Sequence, residues 1–254
     1  MSSCSKKIKI AVFGDSISEG IGSRRLNYCK PLEEKLKVAG IHAEIINFSY
    51  TGTTIRYVET IKSKFEKEKF DFIVIAYGNV DAMLRPDTNN KFNLYSHLPS
   101  RYKKTGMLNP RPYFSNNFFK SIIQHIDSWT RWNINRILLK LQGETVWVVP
   151  DEFENAYRET LLLLSHCADQ IIMLSTVRVS DKYFPGTNGM YCSYNSIIKK
   201  LSETYNCCFI DLYNSLSEKK FYYKDIFHPN ESGYRLIADL ISHQIVNVQN
   251  EKNA

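Results

Sequence analysis

Two runs, Ile10 to Phe13 and the Phe72 to Tyr77 part of a candidate strand over Asp71 to Tyr77, are apolar throughout, rich in β-branched and aromatic residues, and constrain this chain more than any other feature. A strand with one wet face alternates apolar and polar residues. A run without that alternation is buried on both faces, as in a parallel sheet covered by helices. Ile41 to Phe48, Gln170 to Val177 and Cys207 to Leu212 supply three more candidate strands. Between the strands lie segments of helical periodicity. Arg24 to Ala39 carries Leu26, Leu32, Leu36 and Val38 among charges and stops at Gly40, with Pro31 delaying its start. Ile55 to Lys69, Asn117 to Leu141, Pro150 to His166, Met190 to Tyr205 and Glu231 to Val248 read the same way. Strand, helix, strand with short connections predicts an α/β fold: a three-layer α/β/α sandwich on a five-stranded parallel sheet, flavodoxin-like. No repeat or linker divides residues 1–254, which read as one domain.

The rhythm fails from Met83 to about Asn117. This stretch holds four prolines, the tyrosines 95, 102 and 113, Phe114, and the arginines 85, 101 and 111. A long irregular segment in a compact domain is usually functional or mobile, so a lid binding a sugar-like or anionic substrate stands against a solvent loop packed by its own aromatics. Trp129 and Trp132, just beyond it, read as core packing.

The remaining composition is that of an ordinary globular chain, 43% hydrophobic and 23% charged. A net charge of +7 spread along the sequence favours anionic partners mildly, and no basic cluster with interleaved aromatics points to nucleic acid. No run approaches a membrane span, and the first ten residues lack a signal peptide's apolar core. Cys4, Cys29, Cys167, Cys192, Cys207 and Cys208 include no CxxC pair and read as reduced, mostly buried thiols of a cytoplasmic protein. The six histidines lack ligand spacing, so no metal is expected.

Chemistry concentrates at the two ends. Gly14-Asp15-Ser16 follows the first strand, at the carboxyl edge where open α/β sheets keep their sites. By itself this reads equally as a helix cap. Asp225 and His228 lie three apart in a turn ahead of the last helix, and each alone is an ordinary turn residue. A serine hydroxyl needs a base and an orienter for that base, and these residues supply both.

Gly14-Asp15-Ser16 and Asp225-Ile226-Phe227-His228-Pro229 together resemble the SGNH (GDSL) esterase and acyltransferase family. The resemblance spans nearly the whole chain and implies the SGNH hydrolase fold. It also implies Ser16 as nucleophile, His228 as base and Asp225 as orienter. The family's oxyanion donors are the serine N–H, a glycine N–H from its second block and an asparagine side chain from its third. Asn47 to Thr54 is similar to the second block, with Ser49 for its first glycine and Gly52 in the donor position. Gly78-Asn79-Val80-Asp81 is similar to the third, Gly-x-Asn-Asp, but strict register puts Val80 where the asparagine belongs. A bulge at the strand end would bring Asn79 into the hole; otherwise that donor is missing.

The implied activity is a serine-dependent esterase or acyltransferase acting on O-acyl, especially acetyl, groups of a carbohydrate. If water accepts the acyl group, the protein is a deacylase without a cofactor. If a sugar hydroxyl accepts it, the protein is a polysaccharide O-acetyltransferase with acetyl-CoA as co-substrate. A catalytically idle glycan-binding module is the third reading. Arg85, Arg111 and Tyr113 are the insert residues expected to bind a small-molecule or saccharide ester, and oligomeric state has no sequence signal.

Overall fold

The computed structural model describes residues 7–20, 26–89, 93–103 and 108–253. Five parallel strands form the sheet in the order β2-β1-β3-β6-β7. They are β1 (Lys7–Gly14), β2 (His42–Asn47), β3 (Phe70–Ala76), β6 (Ala168–Leu174) and β7 (Cys208–Ile210). β1 is paired on both sides, Val12 lying opposite Asn47 of β2 and Val74 of β3. Ile10 to Phe13 and Phe72 to Ile75 have no solvent exposure, as their unbroken apolar runs require. Helices α2 (Cys29–Val38) and α9 (Glu231–Asn253) pack together, as do α6 (Pro150–Ser165) and α7 (Thr187–Thr204), and these pairs cover the two sides of the sheet. The strand order is that of the flavodoxin-like arrangement expected from the sequence.

Several elements differ from expectation. α2 begins at Cys29, whose N–H is accepted by Asn27 Oδ1 (2.9 Å), and Pro31 sits in its first turn, where a missing N–H costs nothing. The proposed start at Arg24 lies outside the described residues, as does Cys4. The helix expected over Ile55 to Lys69 is reduced to one α turn, α3 (Tyr57–Thr60), and a 3₁₀ turn at Lys62–Lys64. Ile55, Val58 and Ile61 are buried at a spacing of three, and the N–H groups of Val58, Ile61 and Lys64 each bond three residues back. Three-residue winding keeps that stripe on one side, where an α-helix would rotate it off.

The irregular stretch holds a two-residue strand, β4 (Arg85–Pro86), and 3₁₀ turns at Leu94–His97 and Ser100–Tyr102. β4 pairs antiparallel with β5 (Glu144–Thr145), which follows a single 25-residue helix, α5 (Phe118–Gln142), capped by Asn117 Oδ1. Trp129 on α5 is exposed rather than in the core, and Cys192 is an exposed thiol. Among the described residues no helix is long and apolar enough to cross a membrane, and no cluster of His, Cys, Asp or Glu is placed to hold a metal ion.

Asp81, in the short helix α4 (Asn79–Ala82), ties together the loops at the carboxyl edge of the sheet. Its carboxylate accepts the N–H of Ile55 (2.9 Å) and of Gly78 (3.0 Å), and its carbonyl accepts that of Trp147 (3.2 Å). Burial pushes its carboxyl up to about 7, against the two backbone bonds that favour the charged form. Asp15, also buried, is pushed up to about 6 for the same reason.

The native state therefore holds both protons more tightly than the unfolded chain, where a carboxyl titrates near pH ~4. That stabilising contribution is complete below about pH 4 and is lost as pH rises from there to about 7. Urea unfolding of wild type and Asp81→Asn at pH 5 and pH 8 tests this. The wild type should lose stability relative to the variant on going to pH 8, and a pH-independent difference would contradict the assignment.

Candidate active site

Ser16 opens α1 (Ser16–Glu19) directly after β1. The turn is made by Asp15, whose Oδ1 accepts the Ile17 N–H at 2.9 Å, and by Gly14. A Cβ on Gly14 would lie 2.8 Å from Ser18 Cβ and 3.2 Å from the Ala76 carbonyl, so the close approach of strand and helix requires glycine. Gly20, at φ +95°, ends the helix after one turn and returns its N–H to the Ser16 carbonyl (3.1 Å).

His228 and Asp225 come from the turn before α9. Asp225 is buried; its Oδ1 accepts the N–H groups of Phe227 and His228, each at 3.2 Å, and its Oδ2 lies 2.7 Å from His228 Nδ1. Between them Ile226 adopts φ +48°, an unusual conformation for a β-branched residue. Both its backbone groups are held: its N–H donates to the Tyr223 carbonyl (3.0 Å), and its carbonyl accepts from Ser180 (3.2 Å). This turn folds the Asp225 and His228 side chains onto one another. A carboxylate accepts from Nδ1–H, which leaves Nε2 as acceptor for the Ser16 hydroxyl, 3.0 Å away. The next residues are anchored by Asn230, whose Nδ2 donates to the Tyr222 carbonyl (3.0 Å) and whose Oδ1 accepts the Gly233 N–H (3.1 Å).

Ser16 and His228 open into a cavity of about 290 Å³ that Gly52, Thr51, Val80, Arg85, Arg111 and Tyr113 also line. Gly52 sits at φ +73°, a backbone conformation glycine adopts readily. Its loop is fastened from two sides. Asn47 Nδ2 donates to the Ser18 carbonyl (2.8 Å) while its Oδ1 accepts the Ser49 N–H (2.9 Å). Glu19 Oε2 accepts the Thr51 N–H (2.6 Å) and the Thr51 hydroxyl. Among the described residues the N–H groups of Ser16 and Gly52 have no hydrogen-bond acceptor.

Asn79 stands apart from the cavity. It is buried, its Oδ1 accepts the Val177 N–H (2.9 Å), and its carbonyl accepts the Tyr191 hydroxyl (2.8 Å). Its side chain also faces Asp15, where it joins the Ile17 N–H, His228 and the Val80 N–H in opposing the effect of burial. Val80, the next residue, lines the cavity instead.

The three insert residues all reach the cavity, differently held. Arg85 Nη1 donates to the carbonyls of Val80 (2.9 Å) and Met83 (2.8 Å), and its guanidinium lies 3.7 Å over the Trp147 ring. Arg111 binds Asp127 Oδ2 through Nε and Nη2, both at 3.1 Å. Tyr113 is exposed at the rim. Glu19, Arg131 and Asn109 were not singled out from sequence. Glu19 had one cue, the Ser-x-x-Glu spacing that opens a helix; the other two reach the site only through long-range packing.

The GDSL-like lipase/acylhydrolase family model matches residues 12–236. No curated protein is significantly similar in sequence. Among solved structures, an acetylxylan esterase from Geobacillus stearothermophilus is similar with a TM-score of 0.61 at 16% identity, over 94% of each chain. A lipase/acylhydrolase from Enterococcus faecalis has a TM-score of 0.62 at 17% identity, covering 94% of this chain and 96% of its own. With the match to the family running through nearly all of the sheet and its site loops, the chain belongs to the GDSL-like lipase/acylhydrolase family and is an enzyme of the esterase class.

Proposed function

We propose that this chain is a serine esterase that removes acetyl groups from a carbohydrate through an acyl-enzyme on Ser16. The observation that carries this reading is the continuous chain Ser16–His228–Asp225, at 3.0 and 2.7 Å, opening on a cavity beside the Gly52 loop. The Ser16 oxygen attacks the acetyl carbonyl as its proton passes to His228 Nε2, and Asp225 holds the imidazole and balances its charge. The tetrahedral oxyanion accepts from the Ser16 and Gly52 N–H groups, whose donors are preorganised by the α1 turn and by Glu19. Collapse expels the sugar oxygen, which takes the proton from His228. Water then repeats the sequence and releases acetate. The acetylxylan esterase neighbour supports an acetylated sugar as substrate, and Thr51, Asn109 and the arginines among the otherwise apolar lining offer hydrogen-bond donors for its hydroxyls.

Acetate release from an acetylated sugar, measured beside acetyl transfer from acetyl-CoA to a sugar, tests the reading, and hydrolysis without transfer is expected. Ser16→Ala and His228→Ala should each lose at least ~10³-fold in kcat, since these residues act as a unit. Retention of more than a few per cent of activity by either folded variant would overturn the assignment.

With its Oδ1 committed to the Val177 N–H, Asn79 acts behind the site. Val80→Asn should then place a third donor at the oxyanion and raise kcat with KM little changed. Asn79→Ala should lower the melting temperature, because it leaves the buried Val177 N–H unpaired. A ~100-fold loss of kcat in a thermally unaltered Asn79→Ala would instead make Asn79 an oxyanion donor.

Glu19 is a positioning residue. Glu19→Ala should cut kcat about tenfold by loosening the Gly52 loop, and Glu19→Gln, which still accepts from Thr51, should restore most of it. Equal activity of the two variants would count against this role.

A further inference from the structure

The Ser16 cavity is lined by three arginines, Arg85, Arg111 and Arg131, and among the described residues no Asp or Glu lines it. Asp127 Oδ2 compensates two of them, accepting from Arg111 Nε and from Arg131 Nε at 2.8 Å. Arg85 has no such partner. Its Nη1 is used by two backbone carbonyls, while among the described residues Nε and Nη2 make no hydrogen bond and no carboxylate contacts the guanidinium. Asp81 is the acid whose charge acts on it, and its oxygens are already taken by Ile55 and Gly78. Arg85 is half-buried; burial lowers it to about 10, which leaves it charged at neutral pH, and its unbonded edge stays accessible to an anion entering the cavity.

Arg85 is also the wall between two spaces. A second cavity, of about 300 Å³, shares Arg85 and Asn109 with the first and adds Lys103, Tyr95 and Trp147, again with no acid among the described residues that line it. A guanidinium held 3.7 Å over the Trp147 ring and anchored at one nitrogen leaves its remaining edge available. That is the geometry for a two-pronged bond to a carboxylate or phosphate.

From this we infer that the sugar ester opened at Ser16 carries an acidic group, and that Arg85, backed by Trp147, is the residue that selects it. The inference rests on the esterase reading above. A purely structural Arg85, serving only to hold the Val80 and Met83 carbonyls, would account for Nη1 and not for the unpaired edge or the acid-free cavities.

Three esters carrying acetyl on the same hydroxyl test it: a methyl glucoside, a methyl glucuronoside and a methyl glucoside 6-phosphate. The wild type should turn over at least one of the two anionic esters with kcat/KM more than about tenfold above the neutral one, mainly through KM. That preference should shrink as salt is raised. The ester preferred identifies the group as carboxylate or phosphate. In Arg85→Gln the ratio of anionic to neutral kcat/KM should fall towards one, and Arg85→Lys, which keeps charge without the planar fork, should lie between. If the wild type hydrolyses all three equally, or if folded Arg85→Gln keeps the preference, the inference is wrong while the esterase reading stands. If none is hydrolysed, the esterase reading fails. Calorimetric titration of Ser16→Ala with methyl glucuronoside and methyl glucoside then decides, since equal or absent binding of the two overturns the anionic site. Should Arg85→Gln fail to fold, the same titration at low and high salt replaces it.

Discussion

The double pairing of β1 is the constraint from which the rest of the site follows. Because β1 hydrogen-bonds in parallel to β2 on one side and β3 on the other, Gly14, Asn47 and Ala76 reach the same edge of the sheet together. Three chain segments must therefore turn within a few ångströms of one another. They supply Ser16, the Gly52 loop and the α4 turn. Parallel strands place all their carboxyl ends at one edge, so a single edge of the sheet carries the chemistry.

Crowding three turns there creates a problem of unpaired backbone N–H groups, and carboxylates, three buried and one half-buried, solve it. Asp15 accepts from Ile17, Glu19 from Thr51, Asp81 from Ile55 and Gly78, and Asp225 from Phe227 and His228. Each acid holds a loop in shape as well as carrying charge. Burial raises Asp15 and Asp81, so this construction costs stability near neutral pH, a common trade at functional sites. The acids point into the protein, and the cations are left facing the cavity. That division of charge separates the framework from the surface a substrate meets.

The α4 turn differs from the family pattern in a way that follows from packing. Asn79 bridges to Val177 beyond the end of β6 and receives the Tyr191 hydroxyl from α7. It serves as a strut between the α4 turn and the helical layer, and an outward-turned side chain would leave the buried Val177 N–H unpaired. Val80 faces the cavity in its place, and Arg85 holds the Val80 carbonyl from the other side. The segment that departs from the pattern is thus tied both to β4, through Arg85, and to α7, through Tyr191.

From sequence the sheet was legible, because residues such as Val12 and Val74 are buried on both faces and need unbroken apolar runs. The residues of the Ser16–His228–Asp225 chain were legible too, through short motifs tied to a strand end and a helix start. The 3₁₀ winding at Val58 was not, since a three-residue stripe resembles a helical one until the sheet beneath it selects the spacing. Neither was the orientation of Asn79, which depends on partners 98 and 112 residues away. Sequence determined which groups stand at the end of each strand, because strand burial and turn chemistry are local. Tertiary structure alone decided which of them face the cavity and which are spent as struts. That choice rests on hydrogen bonds and charge compensation between segments far apart in the chain, such as Arg85 on Trp147 and Glu19 on Thr51.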